Sequence, residues 1–342
     1  DTATTEIYTL SLHDALPISC SSDDNNDNDG NGGNGNGNEI ENGTILKGTI
    51  TSDVTLAAGN TYKLSGEYIV EEGGTLHIEE GVKIIAVYDD IADYILVKQG
   101  GKINAVGTPD KPIVMTSEKE EPGAWGGIHI CGRAHTNAEG GKGSSEIGGA
   151  VYGGNDDADN SGTLQYIRLE YTGFAFDEEH EANGISFYGV GNGTIVDHCQ
   201  AYKGSDDGFE FFGGSVNVSN LVAVSCSDDS FDWTEGWNGK GTNLVAYQEA
   251  ESTLGYDCDC LMECDNNGSN NAATPVAHPV LKNLILVGNG GSKQGIRLRA
   301  GTEVEIDNAK VCGKGQPLTV ETARSEERRV GKECRSRWSP YH

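Results

Sequence analysis

Short apolar strands separated by glycine and acidic turns recur along most of this chain. Asn183-Gly184-Ile185-Ser186-Phe187 is matched by Asp207-Gly208-Phe209-Glu210-Phe211, and Asp229-Ser230-Phe231-Asp232-Trp233 follows at nearly the same spacing. A second element keeps that spacing, since Asn220-Leu221-Val222-Ala223 recurs as Asn243-Leu244-Val245-Ala246. A period in the low twenties, with no helical pattern between the strands, is typical of a parallel β-helix solenoid. We therefore predict an all-β fold with coils of about 22–24 residues.

The alternation within each strand separates inward from outward side chains, because successive side chains of a strand point to opposite faces. We predict that the apolar residues of the repeat stack inside the coils: Ile128, Ile130, Ile185, Phe187, Phe209, Phe211, Phe231, Trp233, Ile296 and Leu298. The residues between them are predicted to face water: His129, Ser186, Glu210, Asp232 and Arg297.

The N-terminal half follows the same pattern of short strands and glycine turns, for example in Gly107 to Met115 and Trp125 to Ile130. Together with the motif from Asp206 to Phe212, these runs resemble the right-handed parallel β-helix surface lipoproteins of the Bacteroidota. The resemblance implies a right-handed helix and a cell-surface location. The biochemical role of that family is largely unassigned.

Carboxylates concentrate on two neighbouring coils of the predicted helix. The residues are Asp206, Asp207, Glu210, Asp228, Asp229 and Asp232. Coils lie about 4.8 Å apart, so these like charges must be protonated, paired with basic groups or bound to a divalent cation. We predict a calcium site here as one interpretation. The simpler alternative is a ladder of hydrogen-bonded turns that needs no ion.

A catalytic role for the same residues is the third interpretation. Asp206, Asp207, Asp229 and Arg297 are similar to the paired aspartates and the basic clamp of polygalacturonase-type β-helix hydrolases. The chain departs from that pattern, because the Asn-Thr-Asp and Gly-His-Gly motifs of those enzymes are missing. The acid, base and clamp set is therefore incomplete.

Three cysteines cluster in a short acidic run at Cys258, Cys260 and Cys264. In an exported protein this clustering favours a disulfide between two of them. Free thiols and a metal site stay open as alternatives, although no second ligand pair with zinc-finger spacing is evident.

The charge balance narrows the choice of partners. The chain carries 53 acidic and 24 basic side chains, for a net charge of −29. Such a surface repels nucleic acid and anionic membranes and favours cations or neutral partners. We expect no nucleic-acid partner, and calcium as the one candidate cofactor.

Both ends of the chain resemble translated sequencing-adapter DNA. Arg324-Ser325-Glu326-Glu327 back-translates to a run whose reverse complement encodes Ala15-Leu16-Pro17-Ile18. We expect residues 1–19 and 324–342 to be non-native, and residues 40–323 to be a β-helix truncated at its C-terminal end.

The segment from 20 to 39 is rich in Asn, Asp and Gly and has no apolar residue after its first position, so we predict a disordered tether. Cys20, followed by Ser and Asp, resembles the first residue of a mature bacterial lipoprotein, which implies a lipid anchor on Cys20 as the sole membrane contact. An ordinary cysteine before a linker is the alternative.

Two functions follow from these expectations. The first is an exported outer-membrane or cell-surface lipoprotein that uses an acidic face carrying Tyr188, Phe212 and Trp237 for adhesion or for binding a polysaccharide or cell-surface glycan. The second is a polysaccharide-active enzyme, a glycoside hydrolase or lyase, on the same scaffold. Fold alone does not choose between them.

Overall fold

The computed structural model describes residues 38–89, 91–176 and 180–321. The predictions for residues 1–19, for the lipid anchor on Cys20, for nearly all of the tether and for residues 324–342 lie outside this part of the chain. In the described ranges, 23 strands form one continuous sheet, and two further strands form a small antiparallel hairpin. None of the helices in those ranges has the length and apolar character needed to cross a bilayer.

The strands are short, and most end at a glycine or polar turn. In chain order they are β1 (Asn38–Ile40), β2 (Ile45–Ile50), β3 (Val54–Leu56), β4 (Thr61–Val70), β5 (Thr75–Ile78), β6 (Lys83–Ala86), β7 (Tyr94–Val97), β8 (Lys102–Val106), β9 (Ile113–Ser117), β10 (Ile128–Cys131), β11 (Gly143–Ser144), β12 (Val151–Tyr152), β13 (Gly162–Glu170), β14 (Ile185–Tyr188), β15 (Ile195–Tyr202), β16 (Phe209–Phe212), β17 (Asn217–Ser219), β18 (Val222–Val224), β19 (Phe231–Thr234), β20 (Lys240–Tyr247), β21 (Met262–Cys264), β22 (Val280–Val287), β23 (Gln294–Leu298), β24 (Glu305–Cys312) and β25 (Gln316–Val320). A single-turn helix α1 spans Glu251–Leu254, and a 3-10 turn spans Glu139–Gly141.

Parallel pairing between successive coils gives the solenoid three faces, which confirms the predicted parallel β-helix. Face 1 contains the C-terminal ends of β2 and β4, then β7, β10, β14, β16, β19, β21, β23 and β25. Face 2 contains β1, β3, β5, β8, β17 and the N-terminal halves of β13, β15, β20, β22 and β24. Face 3 contains the N-terminal ends of β2 and β4, then β6, β9, β18 and the C-terminal halves of β13, β15, β20, β22 and β24.

The predicted coil length holds in the middle of the solenoid but not throughout it. Ile185 pairs with Phe209, and Phe209 pairs with Phe231, at the spacing of the sequence repeat. The coil that runs from Ile128 to its partner Ile185 is more than twice as long. The described part of the additional chain lies in two loops on either side of face 1, one at 132–161 and one at 171–176 and 180–184, and the first of these loops carries the β11–β12 hairpin. Loops at coil corners lengthen without disturbing the strand register.

The predicted core is confirmed, because its aromatic side chains stack from coil to coil. The rings of Phe209 and Phe231 lie 5.6 Å apart at 13°, and those of Phe187 and Phe211 lie 5.0 Å apart at 11°. These rings are at most 2% exposed. Of the ten residues predicted to point inward, only Leu298 is partly exposed, and it still packs against the core.

The corner between faces 2 and 3 carries a column of asparagines from the Asn-Leu-Val-Ala repeat. Asn220, Asn243, Asn283 and Asn308 all have left-handed backbone conformations with φ between 54° and 61°, which asparagine tolerates better than most residues. From Asn243 onward, each side-chain amide donates to the oxygen of the asparagine one coil before, at 2.8, 3.0 and 2.8 Å, and Asn220 donates to Asp197 at 2.7 Å. We call this column the asparagine ladder.

Candidate cation-binding site

The outer side of face 1 carries one column of aligned side chains, one from each coil. Parallel pairing places them in the order His129, Ser186, Glu210, Asp232, Glu263 and Arg297. The prediction that this column faces water is wrong for His129 and Ser186, which are fully buried. Glu210, Asp232 and Arg297 keep partly exposed surfaces.

His129 is buried because the loops beside face 1 fold over it. Its ring lies between Tyr94 and Tyr188, with centroids 6.1 and 6.2 Å away. Nε2 lies 2.6 Å from the carbonyl of Gly126, and burial lowers the pKa of His129 to about 4. The imidazole is therefore neutral at physiological pH and is walled off from solvent.

The aromatic residues expected on an exposed binding face are also buried, which corrects that prediction. Tyr188 and Phe212 belong to a second apolar cluster outside the coil, where Ile147 and Tyr152 of the first loop cover them. Trp237 stacks on Phe211 inside the coil, with the ring centroids 4.2 Å apart. Sequence alternation identified the outward direction of Tyr188 and Phe212, but it carried no information on the loops that cover them.

The structure brings the predicted acidic residues together. Among the described residues, four groups of three side chains place their ligand atoms within 4.8 Å of one another. The groups are Asp206, Asp207 and Asp228; Asp207, Glu210 and Asp232; Asp229, Asp232 and Glu263; and Asp229, Asp259 and Cys260. All six residues predicted to bind a cation belong to these groups, and we call the six together the acidic cluster.

Asp207 and Asp229 form a ladder at the corner between faces 3 and 1, which we call the aspartate ladder. Oδ1 of Asp207 accepts a hydrogen bond from the backbone N–H of Asp229 at 2.8 Å. Oδ1 of Asp229 accepts from the backbone N–H of Cys260 at 2.6 Å. Both residues are at most 5% exposed. The turn-ladder interpretation is therefore right for these two bonds, and each bond uses only one of the two oxygens of a carboxylate.

Burial and mutual repulsion raise the carboxyl pKa values across the acidic cluster. Burial is the largest cause, and neighbouring carboxylates add to it. The pKa values of Asp207, Glu210, Asp229 and Asp232 rise well above the usual range of carboxyl groups. The pKa of Asp206 rises to about 7, because of burial and then the charge of Asp228. Without a positive partner, some of these carboxyl groups hold protons near neutral pH.

Several polar atoms at the cluster have no hydrogen-bond partner although they are buried. They are Oδ1 of Asn183, Oδ1 of Asp232 and Oγ of Ser230. Asn183 is 1% exposed, and its amide nitrogen donates to Glu210 Oε2 at 2.6 Å and to Ser186 Oγ at 3.0 Å. Buried polar atoms in native proteins nearly always have partners, so unsatisfied oxygens beside carboxylates indicate room for an ion or a donor.

In the described ranges, the nearby basic side chains form ion pairs with carboxylates beside the acidic cluster and with none of its six members. Arg297 pairs with Glu263 at 2.9 Å and with Glu321 at 3.0 Å. Arg299 pairs with Asp265 at 2.8 Å and also contacts Glu263. Arg297 was a candidate clamp for a sugar carboxylate, but these ion pairs already occupy its guanidinium.

The three clustered cysteines, Cys258, Cys260 and Cys264, are not joined to one another in this structure. All cysteines of the described residues are free thiols, so the disulfide expected among Cys258, Cys260 and Cys264 is not present. Cys264 points into the coil core. The sulfur of Cys260 instead lies against Asp259 Oδ1 at 3.3 Å and Gln294 Oε1 at 3.7 Å. Burial raises the pKa of Cys258 to about 12, so its thiol is unreactive at neutral pH.

Sequence reasoning missed Asn183, Glu263 and Glu146 as parts of the site. Glu263 pairs in register with Asp232 and Arg297 across coils that are longer than the repeat, so it breaks the period that would have identified it. Glu146 comes from the covering loop, where burial raises its pKa to about 7 and Tyr188 donates to it at 3.1 Å. Asn183 was visible as the residue that aligns with Asp207 and Asp229 in the repeat.

The fold and site define a parallel β-helix protein with an acidic face. A family model for the pectate-lyase-like β-helix domain matches residues 48–337. The chain belongs to that family. A search of curated proteins found no match.

Proposed function

We propose that this chain is an exported, surface-displayed β-helix protein that binds glycan through a divalent cation, calcium, held by the acidic cluster. One observation carries the proposal: the carboxylates of Asp207, Glu210 and Asp232 converge within 4.8 Å, beside the buried and unpartnered Oδ1 of Asn183. The membership of the β-helix family is compatible with a role on polysaccharide.

A calcium ion fits the chemistry of this site. Calcium takes six to eight oxygen ligands from carboxylates, amide carbonyls and water. The group formed by Asp207, Glu210 and Asp232 offers only oxygens, and Asn183 adds an amide oxygen. An ion here would supply positive charge to carboxylates with which Arg297 and Arg299 form no ion pair.

The cluster has an open side through which a ligand can reach a bound ion. Asp228 is exposed and Asp206 is partly exposed. Sugar hydroxyl or carboxylate oxygens would complete the coordination of an ion that the protein leaves open. Since the chain has a net charge of −29, an acidic polysaccharide would need such a cation to approach this face.

An exposed aromatic ring lies in the second loop beside the same face. Phe176 is 38% exposed, and its backbone N–H donates to the carbonyl of His180 at 2.9 Å. The adjacent Glu181 contributes to the raised pKa of Asp206 and of Asp228, so this loop segment borders the cluster. Aromatic faces pack against the apolar faces of sugars, which makes Phe176 a candidate contact in place of the buried Tyr188 and Phe212.

Cleavage of the glycan is a second candidate function, favoured by one observation. Asp206 is partly exposed, and a carboxyl pKa of about 7 suits a general acid. Two facts favour binding over cleavage: Asp207 and Asp229 are buried with backbone partners, and Arg297 is already paired with acidic side chains.

The test is a calorimetric titration of the chelator-treated chain with Ca²⁺, followed by glycan binding with and without the ion. Asp207→Asn combined with Asp229→Asn is expected to abolish Ca²⁺ uptake and the Ca²⁺-dependent part of glycan binding. Asp53→Asn combined with Asp110→Asn makes the same charge change at exposed positions and should leave both intact. Glycan binding that is unaffected by chelation would overturn the proposal, and release of reducing ends would favour the enzyme.

A further inference from the structure

Lys314 is a buried lysine outside the acidic cluster. It is 7% exposed, and its Nζ donates to Oδ1 of Asn289 at 2.9 Å and to the carbonyl of Cys258 at 2.9 Å. Burial is the largest influence on its amine, and it lowers the pKa of Lys314 below the usual value. A larger share of neutral amine makes a lysine a better nucleophile.

The amide of Asn289 is held at both ends. Its Nδ2 donates to Oδ1 of Asp257 at 2.8 Å, and its Oδ1 accepts from the backbone N–H of Gly291 at 3.1 Å as well as from Lys314. Donors on the carbonyl oxygen make the Cγ carbon more electrophilic and stabilise an oxyanion. Lysine, asparagine and aspartate thus form one hydrogen-bonded chain across the amide.

The backbone around these residues places them on neighbouring coils in fixed register. Gly288 donates to the carbonyl of Cys312 at 2.8 Å, and Gly290 donates to the carbonyl of Gly313 at 2.6 Å. The aliphatic stem of Lys314 lies against Gly288, where an added Cβ would come within 2.6 Å of Lys314 Cγ. A reaction between two groups requires them to be held at about 3–3.5 Å, and this register holds Nζ of Lys314 2.9 Å from the amide oxygen of Asn289.

We propose that Lys314 and Asn289 form an intramolecular isopeptide bond, with Asp257 as the carboxylate that transfers the proton. The neutral Nζ of Lys314 attacks Cγ of Asn289, and the Nζ–Cγ bond forms. The Cγ–Nδ2 bond breaks, and Nδ2 leaves as ammonia. The proton that Nζ loses passes through the Asp257 carboxylate to Nδ2, since both nitrogens are bonded to the same carbon in the tetrahedral adduct. No oxidant, reductant or other reactant is consumed.

The bond would fasten two coils whose linked residues are separated by 25 positions in sequence. A covalent link between coils limits unfolding by reducing the freedom of the unfolded chain, as a disulfide does. Such a link would reinforce the coils that follow the acidic face.

The test is mass spectrometry of the purified full chain. The intact mass is expected to be lower by one ammonia molecule, and a tryptic digest should contain one species that joins the peptide of Asn289 to the peptide of Lys314. Lys314→Arg, which keeps the charge, and Asn289→Ala should each abolish the joined species. Lys293→Arg is the matched control, because this exposed lysine pairs with Asp259 and lies outside the triad.

Two outcomes would overturn the proposal. An unaltered intact mass with separate peptides would leave only hydrogen bonds between Lys314 and Asn289. Loss of ammonia that persists in Lys314→Arg would show that the lysine is not needed and that the loss comes from a succinimide at one of the Asn-Gly pairs of the chain, among them Asn289-Gly290.

Discussion

The asparagine ladder and the aspartate ladder occupy two corners of the same coils. Both stack one polar side chain on each coil, but the hydrogen bonds that the two columns form are different. Each inner asparagine amide donates to the coil before it and accepts from the coil after it, so the column satisfies itself. Each aspartate accepts from the backbone of the next coil but has nothing to donate, so the column accumulates charge.

The difference follows from the chemistry of the two side chains. An amide has both donors and an acceptor, whereas an ionised carboxylate only accepts. A stack of amides therefore closes without help, while a stack of carboxylates needs protons or a cation. We infer that the repeat itself holds the fold together, and that substitution of Asp for Asn at one corner converts a structural column into a candidate binding site.

The largest loss of stability is expected from a substitution in the apolar core of the coils that carry both ladders. Phe209→Ala removes a fully buried ring that stacks on Phe231 and should lower the free energy of unfolding by about 3–5 kcal/mol. The neighbouring Glu210→Gln should cost little, because it removes one of several repelling carboxylates. Chemical denaturation of both variants measures the two values. If Glu210→Gln cost more than Phe209→Ala, the charged column would contribute more to stability than the core does.

The core and the coil architecture were predictable from the sequence because they depend on local alternation. Whether the side chains of Phe209 and Phe231 point into the coil can be read from the residues next to them in the chain, and the same holds for the repeat that contains Asn220. The longest coil was not predictable in the same way, since two loops without any period separate Ile128 from its partner Ile185.

The candidate site was only half predictable. The six carboxylates of the acidic cluster follow the repeat, and the structure brings them together. The burial of His129 and Tyr188 depends on a loop that has no period, so no pattern in the strands reveals it. Asn183 and Glu263 were missed for a related reason: their roles come from register across coils of unequal length.

The second prediction tests whether only the aspartate ladder responds to calcium. Saturating Ca²⁺ at about 100 times its dissociation constant should raise the stability of the folded state by about 2.7 kcal/mol, because the ion binds only that state. Asp207→Asn combined with Asp229→Asn should remove the increment, and Phe209→Ala should keep it on a lower baseline. Thermal unfolding with and without Ca²⁺ gives both numbers. If the Ca²⁺-dependent increase in stability survives the double substitution, the ion binds at another part of the chain.

The third prediction concerns pH in the absence of calcium. The pKa of Asp206 in the folded chain is about 7, above its ordinary value of 3.8. A raised folded-state pKa means that stability is fully present below about pH 4 and is lost as pH rises through about 7. We expect a loss of about 1–2 kcal/mol across this window after allowance for solvent screening. Denaturation at a series of pH values measures the slope, which Ca²⁺ should flatten. A stability that rises with pH between these limits would contradict the raised pKa.

The smallest loss of stability is expected when one asparagine of the asparagine ladder is replaced by aspartate, the residue that forms the aspartate ladder. Asn243→Asp removes the amide that donates to Asn220 Oδ1 and sets a carboxylate against that oxygen. Because the position is exposed, we expect a loss of about 1 kcal/mol near neutral pH, the value of one hydrogen bond. The loss should shrink in acid, where the protonated carboxyl regains a donor, and calcium should not repair it, since both neighbours of Asn243 in that column are asparagines. Chemical denaturation at neutral and acidic pH measures the change, with Asn238→Asp as a control at another exposed asparagine. A variant as stable as the parent chain at every pH would mean that the amide hydrogen bonds of the ladder contribute nothing to the fold, and the contrast between the two corners would then rest on the carboxylates alone.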